Sequence, residues 1–568
     1  MRDRAAQAAQ ATNVDSRGRL LAADGTPLKA SLARALRREK MRAFVLVAPL
    51  LAFVLITFIF PIIFMLGRSV DNEIVPTTVP RAIEALAEWD AGGNEPPGET
   101  TFQAMFFDLF LAAELKEHTK LGTRLNYQTQ GMSSLFRGAG RDMDDMGEVY
   151  QEWLEDEVAE DFDEAGFWVS LMGTEGEDVA QGVMDDAAGR IRAMTEEAFD
   201  AALPVQVRAG MESVLPRTAA AYAEYVIVAV NEDGDDPRED EPWEAVHAAL
   251  ALDLADPAQR AAIEGYAGPG ADLLGQALAE AEASLPTVDF TAAFLNSDED
   301  WADPEVWATM KTYGTARTAG YYLDAVDLAY SPQGDVVSAD DPIYIRLFWR
   351  TLILSLTITA TCLALGYPVA WLLANLPMRQ ANLLLILVLL PFWTSLLVRT
   401  SSWIVLLQDQ GVLNDMLVFI GLVADDNRLS MMFNATGTVV AMTHILLPFM
   451  ILPLYSVMKT IPPSYLRAAK SLGADNFTAF WRVYLPLSVP GIGAGAILVF
   501  ILAIGYYITP ALVGGTDGIF ISNRIAYHIS TSLNWGLAAA LGSILLVAVL
   551  LLYWLYDKIV GIDNVKLG

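Results

Sequence analysis

A single cysteine, Cys362, occurs in 568 residues, and it sits in an apolar run. That scarcity excludes an internal disulfide framework and a zinc cluster built from cysteines. Histidine is almost as rare: His118, His247, His444 and His528 form no His-Glu-x-x-His metal motif. None of the nine lysines follows a glycine, so the chain has no Gly-x-x-x-x-Gly-Lys phosphate loop and is not itself a nucleotide-binding motor of that kind. With no catalytic grouping visible, an enzyme is disfavoured, a membrane protease included.

What the chain does have is 54% hydrophobic residues together with a formal charge of −32, two properties that do not coexist in one ordinary soluble domain. They are segregated. Residues 71–341 hold 57 Asp and Glu against 14 Lys and Arg, whereas the remainder holds 12 against 23. The chain therefore reads as a basic membrane protein carrying an acidic insert.

Arg34, Arg37, Arg38, Lys40 and Arg42 close a basic N-terminal segment, residues 1–42, ahead of an apolar stretch at 43–68. That stretch is long enough to cross the hydrocarbon as a helix. Gly67-Arg68-Ser69 follows it instead of an Ala-x-Ala-like cleavage site, which predicts a retained span rather than a signal peptide. Five more apolar windows recur at about 347–375, 381–405, 435–457, 488–512 and 533–556, within a core at 345–558. Lys and Arg favour cytoplasmic loops, so the basic N-terminus places the insert outside. The loop 458–487 carries Lys459, Arg467, Lys470 and Arg482 against Asp475 alone, while 408–430 carries four aspartates against Arg428. Both agree with cytoplasmic N and C termini.

The fold class expected is an all-α polytopic membrane protein of about six spans, with a large, mainly helical, periplasmic insert between the first two. Ala104–Lys120 and Gly147–Ala165 have apolar residues at helical spacing. The stretch Asn231–Pro237 is acidic enough to invite a calcium reading, but it lacks the glycine and distal glutamate spacing of an EF-hand, so no metal site is assigned. The acidic surface reads first as a solvated face, with attraction of cationic solutes as the alternative.

Residues 461–490 read as two short amphipathic helices with a break. Pro462 and Pro463 open the first, where a missing N–H costs little. Tyr465, Leu466, Ala469 and Leu472 line one face, and Gly473 takes the left-handed position that ends it. Asp475 follows as N-cap of a second helix carrying Phe477, Phe480, Trp481 and Tyr484, which is expected to stop before Pro486. Small Ala468 and Ala469 on the first helix permit close approach of another surface. An ordinary connector lying on the lipid is the alternative.

The spacing Ala468-Ala469, Gly473, Val483, Leu485-Pro486 resembles the cytoplasmic loop signature of ABC-importer permeases. Gly366-Tyr367-Pro368-Val369-Ala370, Leu390-Pro391-Phe392-Trp393-Thr394-Ser395 with Arg399, Asn414 and Trp535–Ala540 are similar to the spermidine/putrescine permease group, first permease type. This resemblance implies the type I importer permease fold, a bacterial inner-membrane location, and an assembly with an ABC ATPase dimer, a second homologous permease and a periplasmic solute-binding protein. Partners other than these and the lipid bilayer are not implied, nucleic acid among them. It implies no cofactor in this chain, ATP and Mg being held by the ATPase, and a docking loop made of Arg467, Ala468, Ala469, Leu472, Gly473, Ala474, Asp475 and Pro486. Two features depart from the group: Arg467 stands where a glutamate is usual, and the group has only a short link in place of the insert.

Polar groups in or near spans mark a solute path, with Ser395, Arg399, His444, Tyr506 and Tyr507 as candidates. For His444 a packing role, and for Arg399 an interfacial anchor, are the alternatives. Leu390-Pro391 and Leu447-Pro448 are expected to bend their helices. A polyamine is the first choice of cargo, ahead of amino-acid-like or phosphonate solutes. The rival reading is a membrane-anchored receptor whose insert senses a ligand.

Overall fold

The computed structural model describes residues 28–560 apart from Ala198, Asp200, Ala201, Val288 and Asp340, with side chains described from 36 to 558. Residues 1–27 of the basic N-terminal segment, the Arg34 side chain and the C-terminal residues 561–568 lie outside the described residues. Residues 1–68 and 69–568 form two units.

In the first unit one continuous apolar helix runs over Leu36–Arg68, 33 residues with none of its apolar window buried. A π turn at Leu55–Ile59 interrupts its regular winding. Phe44, Leu46, Ile56 and Phe60 are all exposed on it. A helix apolar all round has the length and composition of a membrane span.

The second unit begins with the acidic insert, which is mainly helical as expected. Among the described residues its few strands make two small antiparallel pairs, Gly173–Thr174 with Gln206–Val207, across an intervening helix, and the hairpin Leu328–Tyr330 with Val336–Ser338. The helices are shorter than the apolar periodicity predicts. The stretch read as helical over Ala104–Lys120 ends at Glu114, because Lys116 takes φ +60° and turns the chain before His118–Leu125. Gly147–Ala165 likewise divides: Met143–Glu152 runs into a π turn at Trp153–Val158, and extended Ala159 then stops it. Asn231–Pro237, expected to be a loop, begins inside another π turn, Ala229–Asp233, closed by left-handed Gly234.

Helix Glu99–Glu114 joins two cores of this insert. On one side Phe102 and Phe106 pack with Phe294, Trp301 and Trp307, with ring centroids of Phe102 and Trp307 4.6 Å apart and edge to face. On the other, Leu111 packs with Trp168, Tyr222 and Leu250. Each buried aromatic contributes roughly 1.5–3 kcal/mol by removal from water. Asp253 adds a charged cap: its carboxylate accepts from the Thr218 N–H (2.9 Å) and hydroxyl (2.8 Å) at the start of helix Pro216–Val228.

The bundle follows from Tyr344. Helices Tyr344–Asn375, Ala435–Thr460, Asn476–Gly505 and Trp535–Lys558 are each long and apolar enough to cross a membrane. The first three pack closely because glycines face their neighbours: a Cβ on Gly366 would lie 3.2 Å from Met450, and one on Gly495 only 2.7 Å from the Met450 sulfur. The third expected window is not a straight span. Met378–Trp393 and Leu396–Phe419 meet at 95°, so the described residues hold five candidate spans, or six if the bent pair counts as one. Pro391, which cannot donate, starts a 3₁₀ turn at Leu390–Trp393, and extended Thr394 and Ser395 then redirect the backbone. Pro448, in contrast, lies inside the unbroken helix Ala435–Thr460.

The insert and the 461–490 segment contact opposite ends of this bundle. At one end Asp327, buried and left-handed (φ +57°), accepts the N–H groups of Ile343, Tyr344 and Ile345, each at 2.8 Å, and so caps Tyr344–Asn375. Tyr127 donates to the Ser532 carbonyl (2.9 Å), and Gly536 leaves room for the Tyr321 ring. At the other end Lys459 donates to the Ala374 carbonyl (3.2 Å).

Candidate docking elbow

The turn that shapes residues 463–505 is built by backbone groups alone. Helix Pro463–Ser471 closes when the Gly473 N–H donates to the Lys470 carbonyl (3.0 Å) and the Ala474 N–H to the Ala469 carbonyl (3.1 Å). This paired closure needs a left-handed residue, and Gly473 supplies it at φ +91°. No atom would touch a Cβ there, so the glycine is required by conformation rather than by space. Asp475 then accepts from the Thr478 N–H (3.1 Å) and starts the next helix. Thr478, through its side chain and then its N–H, holds the Asp475 carboxyl below the ordinary carboxylate range.

That next helix does not stop before Pro486. Asn476–Ala479, a π turn at Phe480–Tyr484 and Leu485–Gly505 run on as one rod. The wider π winding takes up the bond that Pro486 cannot make, and Pro486 sits in the first turn of the α segment, where an N–H is not needed. The helix that carries the fifth span therefore begins at Asn476, not near 488.

The rod's inner side is fixed to the bundle. Phe480 meets Tyr367 edge to face (centroids 6.0 Å) and stacks on Tyr484 (6.1 Å). The Tyr367 and Ser488 hydroxyls lie 2.9 Å apart. Its outer side is bare: Leu472 is 89% exposed and Phe477 68%, with Trp481 and Tyr465 exposed beside them. Ala468 and Arg467 are exposed and Ala469 and Ala474 half-buried. Among the described residues no carboxylate pairs with Arg467. A rigid turn with a fixed back and an apolar, uncovered front has the form of a partner-binding knob. Sequence reading found its front; the Tyr367–Phe480–Tyr484 contact and the Lys459 cap, between residues far apart in the chain, were invisible to it.

Residues 364–560 match the family of binding-protein-dependent transport system inner membrane components. The spermidine/putrescine transport system permease protein PotB of Escherichia coli (strain K12) is 36% identical over 39% of this chain and 81% of its own length. The protein of that name from Salmonella typhimurium (strain SL1344) is 36% identical, with 39% of this chain and 77% of that protein covered. The chain belongs to this permease family. A further relative, the inner membrane ABC transporter permease protein YdcU of Escherichia coli (strain K12), is 31% identical over 44% of this chain and 86% of its own length. The permease is thus a multi-pass inner-membrane protein of the ABC-importer class.

Within the permease the five polar residues singled out for a path separate into three groups. Ser395 and Arg399 serve the break between the two bent helices. Ser395 accepts from the Val398 N–H (3.2 Å), while the Arg399 guanidinium donates to the Pro391 carbonyl and, at 3.0 Å, to the Thr394 carbonyl. His444 takes the Trp403 indole N–H on its Nδ1 at 3.3 Å, with the rings edge to face at 5.1 Å. Tyr506 and Tyr507 follow the end of Asn476–Gly505, and their carbonyls accept from Ser522 and Asn523, each at 2.8 Å. Asn414, buried, ties its own loop by accepting from the Leu429 N–H (3.1 Å) and donating to the Leu429 carbonyl (2.9 Å).

Proposed function

We propose that this chain is the transmembrane permease subunit of an importer that moves a polyamine such as spermidine or putrescine, delivered by a periplasmic binding protein. A second, homologous permease completes the pathway, and a separate ATPase dimer that holds ATP and Mg supplies the drive. The observation that carries the reading is the elbow: Leu472, Phe477 and Trp481 stand uncovered around a glycine-set turn whose back is locked to Tyr367. In this reading Ala468, Ala469, Leu472, Gly473, Ala474 and Asp475 enter a cleft of the ATPase, Pro486 continues the lever into the span, and Arg467 stays at the rim. Closure of the motor pushes the elbow, and the rod Asn476–Gly505 carries that push across the membrane as a rigid body.

The same reading puts the elbow and both termini in the cytoplasm and the insert outside, supported by their attachment to opposite ends of the bundle and by the positive charge of 458–487. Polyamine cargo is supported by the likeness to PotB. The bent helices with Ser395 and Arg399, His444, and Tyr506 with Tyr507 are the proposed edge of the solute path. The test is co-expression with the companion subunits, followed by purification and ATPase assay with loaded binding protein over a solute panel. We expect the ATPase to co-purify, spermidine or putrescine to stimulate hydrolysis, and Gly473→Pro to abolish co-purification. An ATPase still retained by Gly473→Pro would overturn the docking role, and stimulation by other solutes alone would overturn the cargo.

A further inference from the structure

One cavity of the insert has no part in transport as read above. It encloses about 420 Å³ and is walled by Ala104, Phe107, Pro216 and Ala220, with Arg81, Arg217 and Glu224 at its polar side. A space of this size, mostly apolar and carrying a few convergent charges, is typical of small-molecule sites. Helices Glu99–Glu114 and Pro216–Val228 form its two sides, so it is built on rigid elements.

Glu224 decides its chemistry. The side chain is only 5% exposed, and both Arg81 and Arg190 donate to one of its oxygens, Oε1. Among the described residues nothing donates to the other oxygen, Oε2. That oxygen is not among the enclosed, unpartnered polar atoms of the insert; it is open to the cavity, where an ammonium group adds a charge-assisted bond. Arg217 holds Asp253 at 3.1 Å and Asp256 at 3.0 Å, and Arg81 reaches Asp108 at 3.4 Å. Each guanidinium has five N–H groups, more than these bonds use. The cavity thus offers an acceptor for a cation beside donors for an anion, over an apolar floor at Phe107.

We propose that this cavity binds a small zwitterion of amino-acid type, its ammonium on Glu224, its carboxylate on Arg81 and Arg217, and an apolar side chain against Phe107. Two guanidiniums, Arg81 and Arg217, beside the one carboxylate that lines the cavity, Glu224, disfavour a polyamine, which has several cations and no anion. The site makes the insert a ligand-binding domain in its own right, independent of the elbow and of the cargo.

The test is isothermal titration of the full chain in lipid nanodiscs with L-leucine, L-phenylalanine, L-glutamate, glycine and spermidine as probes. Saturable binding of L-leucine or L-phenylalanine is expected, with none for spermidine. Glu224→Gln is expected to weaken it at least about tenfold, the loss of one charge-assisted bond. Because that change also takes a carboxylate from Arg81 and Arg190, Ala104→Phe is the second variant: it fills the cavity, leaves every ion pair in place and is expected to abolish binding. No saturable binding by any of the four amino acids, binding by spermidine alone, or binding unchanged in Ala104→Phe would overturn the site. Loss of ATPase co-purification has no bearing on it, so the two readings fail separately.

Discussion

In the insert Trp168, Trp301, Trp307, Phe102 and Phe106 are fully buried, while Glu175, Glu177, Asp178 and Asp235 face outward. In the bundle Trp349, Trp393, Phe392 and Trp554 stand exposed, while Thr351, Ser355, Thr438 and Ser488 are buried. Both regions are helical, and their residues are sorted in opposite senses. The insert meets water, so area removed from water holds it together. The bundle meets hydrocarbon as apolar as its own side chains, so close backbone approach at glycine and small hydroxyls does the holding. The same amino acid therefore carries different weight on the two sides of residue 344.

Six substitutions and one titration bear on that contrast, and the largest effect is expected in the insert. Trp307→Ala, which removes a fully buried ring from the cluster of Phe102 and Trp301, should cost about 3–5 kcal/mol in thermal unfolding followed by near-UV circular dichroism. A loss as small as that of Trp349→Ala, measured in the same lipid, would break the contrast; Trp349 is 63% exposed, and its removal should change unfolding by less than about 0.5 kcal/mol. In the bundle Gly495→Leu should be the counterpart of a core deletion. The new side chain meets the Met450 sulfur and carbonyl, and about 1–3 kcal/mol of stability should be lost as Ala435–Thr460 and Asn476–Gly505 are forced apart.

At the elbow Gly473→Ala should cost about 1–2 kcal/mol locally, since alanine resists φ +91°. ATPase co-purification should fall while the unfolding temperature of the insert stays constant. The pH response belongs to the insert. Burial pushes Asp108 and Glu114 up to about 7. The native state therefore binds more protons than the unfolded one between about pH 4 and 7, and these groups stabilise less as pH rises through that window. Buried His247, brought down to about 4, acts oppositely below its ordinary value near 6.5. Stability of the insert should accordingly rise as pH falls from above 7 towards 5, less steeply below about 6.5 where His247 opposes the two carboxyls, and Asp108→Asn should shrink the rise. The smallest effect is expected from Arg467→Glu, which touches no described carboxylate and should leave both stability and ATPase co-purification within about 0.5 kcal/mol of the original.

Much of the bundle was legible in the sequence because a span must be long and apolar without regard to its neighbours. The elbow was legible for a similar reason: Gly473 and Asp475 act on backbone groups within five residues of themselves. What sequence reading misjudged were the ends of elements. Pro486 did not stop its helix, since a π turn absorbed the missing donor, and the window at 381–405 proved to be two helices at 95°. The break at Pro391 was anticipated, but not that Arg399 satisfies the carbonyls it frees, which makes that arginine a part of the bend. Helix lengths in the insert were overestimated for lack of any signal that Lys116 turns left-handed.

By itself, then, the sequence determined which stretches are long and apolar enough to span, that an acidic helical insert separates the first from the second, and which glycine turns the elbow. Each of these follows from composition or from bonds between near neighbours along the chain. Tertiary structure alone decided that Asp327 caps Tyr344–Asn375, that Tyr367 braces Phe480, and that Arg81, Arg217 and Glu224 meet around one cavity. Those groups lie from 16 to 143 residues apart, except for Arg217 and Glu224 on one helix. Packing brings such distant groups together, and packing is not written in any short window of sequence.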